Sequence, residues 1–426
     1  MQFEHLAIKV AVAGAALATG HAMAAGFALQ NQNGAGTGNA FAGAAAAAED
    51  ASTVYFNPAG MLWLPRGHHL SGAVTLLDRS VEFSDRGTAP LVLPGPTVFE
   101  KGTNGGDGGS LAVVPAVYWA YSISPKLSVG LGVSPTFGNK TEFDKDFIGR
   151  FSGDFAEVKQ ININPSVAFR VSDTLAVGFG LNVAKNETEF QQAGPVPTGL
   201  SSPLPAFVAR NVTIKGDDTA IGWNAGMLMQ LTPATRVGLT YRSAMAFDLD
   251  GTQEIEGAVV FDVKAKLKTP DQFSLALHQV LDSKWDVLAD LTWTGWSSVD
   301  TIRVRGGTHP QLPYHFKDTW RLGLGLGYQM NDAWKLRAGV AFDEAPVREA
   351  ADRTMTLPDT DRTWLAIGAR YSFSKQASLD VGYAHIFFKE GATARVVYSG
   401  STPLQQIKGR FDVSADLLSV QYNHSF

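Results

Sequence analysis

Apolar and polar residues alternate along most of the chain. From about residue 68 to the C-terminus the alternation runs in segments of about ten positions, the length a tilted strand needs to cross a bilayer. Leu127, Val129, Leu131 and Val133 alternate with Ser128, Gly130, Gly132 and Ser134, and Ile161, Ile163, Val167 and Phe169 with Asn162, Asn164, Ser166 and Arg170. Leu175 to Val183, Val237 to Tyr241, Trp320 to Tyr328 and Trp334 to Phe342 repeat the pattern, with glycine, arginine or lysine between the apolar positions. A period of two sends neighbouring side chains to opposite faces. Each segment therefore predicts a strand with lipid on one side and an enclosed interior on the other.

The connections sort by length. Ser124-Pro125-Lys126, Ser172-Asp173-Thr174, Thr232 to Thr235, Asp282-Ser283-Lys284, Asn331-Asp332 and Ser374-Lys375-Gln376 are short and rich in turn formers. Long polar segments near 84–110, 138–158, 190–217, 250–270, 302–318, 344–362 and 390–410 separate them. Short turns at one rim and long loops at the other are the two ends of a bacterial outer-membrane barrel; a soluble sandwich also alternates but has no reason to sort its loops. The count comes to about fourteen strands, an even number that can close. The nine tryptophans, Trp63, Trp119, Trp223, Trp285, Trp293, Trp296, Trp320, Trp334 and Trp364, fall mostly near segment ends, where aromatic girdles sit. Val420, Tyr422 and the terminal Phe426 close the chain on the same period.

Composition changes the picture in three places. A mean hydropathy of -0.02 is too polar for a helical membrane protein, so a membrane role must rest on strands. The absence of cysteine agrees with export without requiring it. A net charge of -5 leaves no basic footprint for nucleic acid. Lys9, the apolar run Val10 to Thr19 and Ala22-Met23-Ala24 predict a signal peptide over residues 1–24. Residues 25–66 do not alternate: the small-residue runs Gly34 to Gly38 and Ala44 to Ala48 precede Asn57-Pro58-Ala59. Such a segment is too short for a domain and can fit inside a barrel as a plug, leaving 67–426 as the barrel.

At this level of detail the chain resembles the FadL family of outer-membrane long-chain fatty acid and hydrocarbon transporters. The similarity rests on Ala25-Gly26-Phe27 and Asn57-Pro58-Ala59, on Phe137-Gly138 with Thr141-Glu142-Phe143, on Gly222 to Gly226 and on Thr240 to Ser243. It continues through Phe316-Lys317-Asp318, Gly339 to Asp343 with Pro346-Val347, Arg353, and Pro358 to Arg362, in family order. The resemblance implies an all-β, fourteen-stranded antiparallel barrel holding an N-terminal hatch, in the outer membrane of a Gram-negative cell, without cofactor or metal. It also implies passive capture of a long-chain fatty acid or other hydrophobic small molecule, binding in an inner pocket, and lateral exit into outer-membrane lipid where the third strand kinks. A single chain would suffice for this.

The same resemblance assigns Phe27 and Ile214 to the inner pocket, Asn57, Pro58 and Ala59 to the hatch near the kink, and Phe137 with Gly138 to the kink itself. The positions of the family's pocket cations fall at Glu189 and Leu312, neither of them cationic. Either Lys215 supplies the missing charge or the substrate is an uncharged alkane or arene, since a carboxylate buried without a partner is costly. Arg170, Arg236, Arg242, Arg321 and Arg337 are expected in the lumen opposite carboxylates. Asp343, Arg353, Asp359, Asp361 and Arg362 are expected to form a salt-bridge set at the outer rim. Two other classes share these features: an open porin, from which a plug distinguishes the chain, and a lipid hydrolase using His385 with Ser378, whose opposite parity places them on opposite faces of a strand.

Overall fold

A computed structural model describes residues 26–93, 97–199, 206–256, 259–308, 311–399 and 402–426. The expected signal peptide lies outside these residues. Nineteen strand segments form one closed antiparallel sheet of fourteen crossing strands, because several strands are broken by a bend. They are β1 (His68–Asp85), β2 (Ser110–Ser124), β3 (Leu127–Glu142), β4 (Phe155–Arg170), β5 (Leu175–Gly199) and β6 (Ala206–Thr232). The next four are each in two pieces: β7 (Thr235–Arg242, Met245–Ile255), β8 (Val259–Thr269, Gln272–Val280), β9 (Trp285–Thr294, Thr301–Arg305) and β10 (Gln311–Pro313, Thr319–Gln329). The last are β11 (Trp334–Asp343), β12 (Arg362–Ser372), β13 (Ala377–Phe388, Gly391–Ser399) and β14 (Thr402–Ser425). Closure comes from β1 against β14, in unbroken register from His69↔Ser425 to Asp85↔Gly409. The C-terminal alternation thus forms the seam, which leaves no sheet edge there for lipid to meet.

One rim is made by tight turns whose side chains satisfy the backbone. Asp282 accepts from the amides of Lys284 and Trp285, Asn331 from those of Ala333 and Trp334, and Ser374 from those of Gln376 and Ala377. At the other rim several segments that looked like loops are strands. β5 and β6 run 25 and 27 residues, far beyond the roughly ten a bilayer needs, so 190–217 is largely a ladder projecting outward. The same holds for 250–270 and 390–410. Above the lipid neither face must be apolar, so the hydrophobic alternation vanishes while the hydrogen-bond ladder continues.

The outer face is apolar and open: Leu322 is 51% and Ile367 63% exposed, which only a lipid surround makes favourable. Tyr241, Phe273, Trp293 and Trp320 fall in a single register row across β7 to β10 and form part of an aromatic girdle. Trp285 stacks near Tyr328 and Trp334 near Tyr371 close to the short turns, marking the other girdle. Trp296 and Trp364 depart from the girdle expectation. Both are fully buried inside the barrel, Trp364 because it shares inward parity with Arg362 and Ala366, Trp296 because it sits in a bend between the two pieces of β9.

Residues 26–66 fill the lumen. They form three single-turn helices, α1 (Gly34–Thr37), α2 (Ala44–Ala47) and α3 (Thr53–Phe56), and a 3-10 turn over Pro58–Trp63. Alanine and glycine dominate because the wall is close. Ala45 crosses Gly238, Asn39 crosses Gly339, and Gly38 lies against Gly368, contacts in which a Cβ on the wall residue would collide with hatch backbone. The five lumen arginines anchor this hatch. Arg236 donates to Ala47 O at 2.8 Å, Arg242 to Tyr55 O at 2.8 Å, Arg170 to Leu62 O, and Arg321 to Ala40 O while pairing with Asp290 at 3.1 Å. Arg337 bridges hatch Glu49 at 2.5 Å and wall Asp380 at 2.8 Å. Backbone carbonyls, more than carboxylates, are their partners, because a plug without regular structure must hand its unpaired C=O groups to some donor.

Candidate functional site

The lateral wall has an interruption at β3. Pro135 cannot donate to a ladder, and the register shifts between Pro135 and Phe137. Below the bulge the inward residues are even-numbered, Ser128 to Ser134; above it they are Phe137, Asn139 and Thr141. The β2–β3 ladder runs from Ser124↔Leu127 up to Val117↔Val133 and stops. Above that rung, residues 110–116 and 134–142 face each other without pairing until Glu142 N donates to Gly108 O. A window in the sheet is thereby bounded above and below. Phe137 and Gly138 stand on its margin.

The start of the hatch stoppers this window. Ala28 bridges Phe137, Leu29 N donates to Thr136 O at 2.9 Å, and Gly138 N donates to Phe27 O at 2.8 Å. Gln32 donates to Pro135 O at 2.7 Å and accepts from Tyr118 Oη at 2.7 Å. Gly26 N donates to Asp359 Oδ2 at 2.7 Å. Burial pushes the Asp359 carboxyl above the ordinary aspartate range, against the pull of Arg362 and the Gly26 amide. Arg362 pairs with Asp359 at 2.9 Å and Asp343 at 3.5 Å, whereas Arg353 donates to the carbonyls of Asp359 and Ala392 and Asp361 turns to Lys389 at 2.9 Å. The expected rim network is therefore two separate sets, one of them tied to the N-terminal segment.

Behind the window lies a small, mostly apolar cavity with a few polar groups on its wall, the kind of lining usual for small-molecule sites. Phe27, Val158, Phe190, Ile214, Leu249, Val263, Leu267, Ile302, Leu312 and Leu357 line it, with Asn139, Thr188, Tyr314 and Thr356 among the polar members. Phe27 is held edge-on to Trp296 (ring centroids 5.0 Å) and near Phe137 (5.6 Å), and Trp296 in turn meets Phe316. Lys215 and Glu189 also border the cavity. However, Ile214 pairs with Phe190 on the inner face, so Lys215 and its cross-strand partner Glu189 project from the opposite face, their charged groups 3.2 Å apart. The ammonium expected to replace the pocket cation points away from the cavity and is spent on Glu189.

Asn57, Pro58 and Ala59 lie lower and further round than expected. Asn57 donates to Ala45 O at 2.8 Å and Met227 O at 3.0 Å and accepts from Ala59 N at 3.1 Å. The motif rests on the cross-strand pair Gly178↔Gly226 of β5 and β6, where any Cβ would strike Ala59 N or Asn57 Oδ1. It pins the hatch to β5–β6, while Met61 and Val54 reach β3 at Gly130, below the bulge. Trp296, Phe316, Gln32 and Arg79, all prominent around the cavity or window, were not among the expected site residues. His385 bonds Asp416 at 2.8 Å, whereas Ser378 accepts from Asn423, so that pair is not brought together.

A closed antiparallel barrel with an apolar belt, aromatic girdles, a filled lumen and a stoppered side window is an outer-membrane transport barrel. The chain belongs to the family described as "Outer membrane protein transport protein (OMPP1/FadL/TodX)", whose sequence pattern it matches over residues 15–426. It is 29% identical to the Long-chain fatty acid transport protein of Escherichia coli O6:H1, covering 92% of this chain and 94% of that one. It is 30% identical to Outer membrane protein P1 of Haemophilus influenzae, over 88% and 90% of the two chains. Among solved structures, a Pseudomonas aeruginosa FadL homologue superposes with a TM-score of 0.86 at 24% identity, covering 94% of this chain and 100% of the other. The Ralstonia pickettii toluene transporter TbuX gives 0.62 at 18% identity, covering 88% and 94%. The protein is accordingly an outer-membrane barrel of this transport family, and its relatives are transport proteins.

Proposed function

We propose that the protein carries long-chain fatty acids and comparable hydrophobic molecules across the outer membrane by passive capture. The substrate occupies the apolar cavity, displaces the Phe27–Leu29 segment from β3, and leaves sideways through the β2–β3 window into outer-membrane lipid. The observation that carries this reading is the adjacency of the two features: the cavity wall at Phe27 is also the stopper of the window. No energy source enters the scheme, because the driving force is transfer of apolar surface from water to lipid. On this reading the chain is exported by cleavage of residues 1–24, works as a monomer, and performs no chemistry on its cargo.

Phe27 and Ile214 form the cavity wall, Phe137 and Gly138 the window margin, and Asn57, Pro58 and Ala59 the anchorage that keeps the plug seated while its N-terminal end moves. A second reading, uptake of uncharged alkanes or arenes, is favoured by one feature: Lys215 faces away from the cavity. Mass spectrometry of lipid retained by the protein after mild detergent extraction tests both. Retained long-chain acid or hydrocarbon is expected; a protein that retains neither and takes up neither in proteoliposomes contradicts the proposal.

A further inference from the structure

The inner face of β1 carries a guanidinium that the hatch does not use. Arg79 is 4% exposed and reaches across β2 to the free margin of β3. Its Nη1 is shared among Asn139 Oδ1 at 3.3 Å, Lys140 O at 3.3 Å and Thr141 Oγ1 at 3.2 Å. Its Nε and Nη2 have no acceptor among the described residues. Every other lumen arginine singled out above donates to a hatch carbonyl or a carboxylate. Asp359 and Asp107 influence Arg79 only through space. Asp359 is committed to Arg362 and Gly26, and Asp107 to the amides of Val81 and Gly109. A buried cation with two idle donors and no ion partner is an expensive arrangement that an arriving anion relieves.

Its position gives that anion an identity. Asn139, which accepts from Arg79, also lines the cavity and donates to the cavity residue Thr356 through its carbonyl at 3.3 Å. Arg79 pairs in register with Ser110 at the top of the unpaired part of β2. It therefore stands where the polar end of the cavity meets the window. We infer that Arg79 is the residue that reads the head group: it receives the carboxylate of a long-chain acid at the junction of cavity and window, taking over from the cations missing at Glu189 and Leu312. A planar guanidinium with two free N–H directions suits the two oxygens of a carboxylate. This inference rests on the transport reading above and narrows its substrate to ionised acids.

The test compares, on the mature protein in detergent at pH 8, binding of oleate and of oleyl alcohol, which share a chain and differ in head group. The wild type is expected to bind oleate at least about tenfold more tightly, the range for a hydrogen bond to a charged group. Arg79→Gln is expected to lose oleate affinity at least about tenfold more than alcohol affinity, and Arg79→Lys to recover part of the difference. Equal affinities for acid and alcohol in the wild type, or equal losses for both in Arg79→Gln, overturn the inference while leaving hydrophobic transport intact. The wild-type comparison decides the matter even if the Gln variant does not fold. Failure of the wild type to bind either compound counts instead against the transport proposal.

Discussion

Replacing Asn57 by alanine removes three hydrogen bonds at one point: two donated to Ala45 O and Met227 O and one accepted from Ala59 N. Asn57 is buried, so no solvent takes its place without rearrangement. At about 0.5–1.5 kcal/mol net for each bond, the loss comes to about 1.5–4.5 kcal/mol. The hatch is also held by the arginines of β4, β7, β10 and β11, and the barrel by its closed ladder. The energy should therefore appear as easier local opening of the plug and leave global unfolding nearly unchanged. With tenfold for each 1.4 kcal/mol, amides between residues 44 and 63 are expected to exchange with deuterium about 10- to 1,500-fold faster in Asn57→Ala than in the wild type. Amides of β5 and β6 away from Gly178 and Gly226 should stay protected. Asn57→Asp, which sets a buried carboxylate oxygen against the carbonyls of Ala45 and Met227, should accelerate exchange at least as much. A change below about threefold in the hatch, or equal acceleration in hatch and barrel, would refute the idea that this motif seats the plug on β5–β6.

Two further substitutions address the stopper. Phe27→Ala removes an apolar ring from the cavity wall; at ~1.5–3 kcal/mol for a fully buried aromatic side chain, binding of long apolar probes by titration calorimetry is expected to weaken tenfold or more while the barrel folds, and unchanged affinity argues against an inner-pocket role. Gly138→Pro deletes the amide that donates to Phe27 O. It is expected to loosen residues 26–29, seen as faster cleavage of the N-terminal segment by aminopeptidase, and to raise transport relative to binding; identical cleavage and transport would contradict the stopper assignment.

The barrel was legible because lipid imposes a strict rule: where one face of a strand must be apolar, period two survives in the sequence, as at Leu175 to Val183 and Trp320 to Tyr328. The rule lapses above the girdle, which is why the long β5 and β6 strands read partly as a loop although they pair from Leu175↔Met229 out to Gly199↔Ala206. The bulge was foreshadowed only by the Phe137-Gly138 resemblance, and Pro135, which interrupts the ladder beside it, carried no separate signal. Inside the barrel each residue has its own neighbours and no period organises them. Arg79 was visible only as a charge of inward parity between Leu77 and Val81, and nothing in the chain pairs it with Asn139, sixty residues away. Lys215 shows how one step along a strand changes a side chain's surroundings: it borders the cavity beside Ile214, yet its ammonium pairs with Glu189. Gln32 offered no signal at all, as its partners on the barrel wall come from β2 and β3.

The most direct test of the account is reversible closure of the window. The natural chain contains no cysteine, so Ala116→Cys with Ser134→Cys, the first rung above Val117↔Val133, introduces a single pair that oxidation can join. Entry of a fluorescent long-chain fatty acid into proteoliposomes should fall to the level of protein-free vesicles on oxidation and return on reduction, with binding to the detergent-solubilised protein retained throughout. Undiminished entry through the oxidised, cross-linked protein would mean that the cargo does not leave by the side of the barrel.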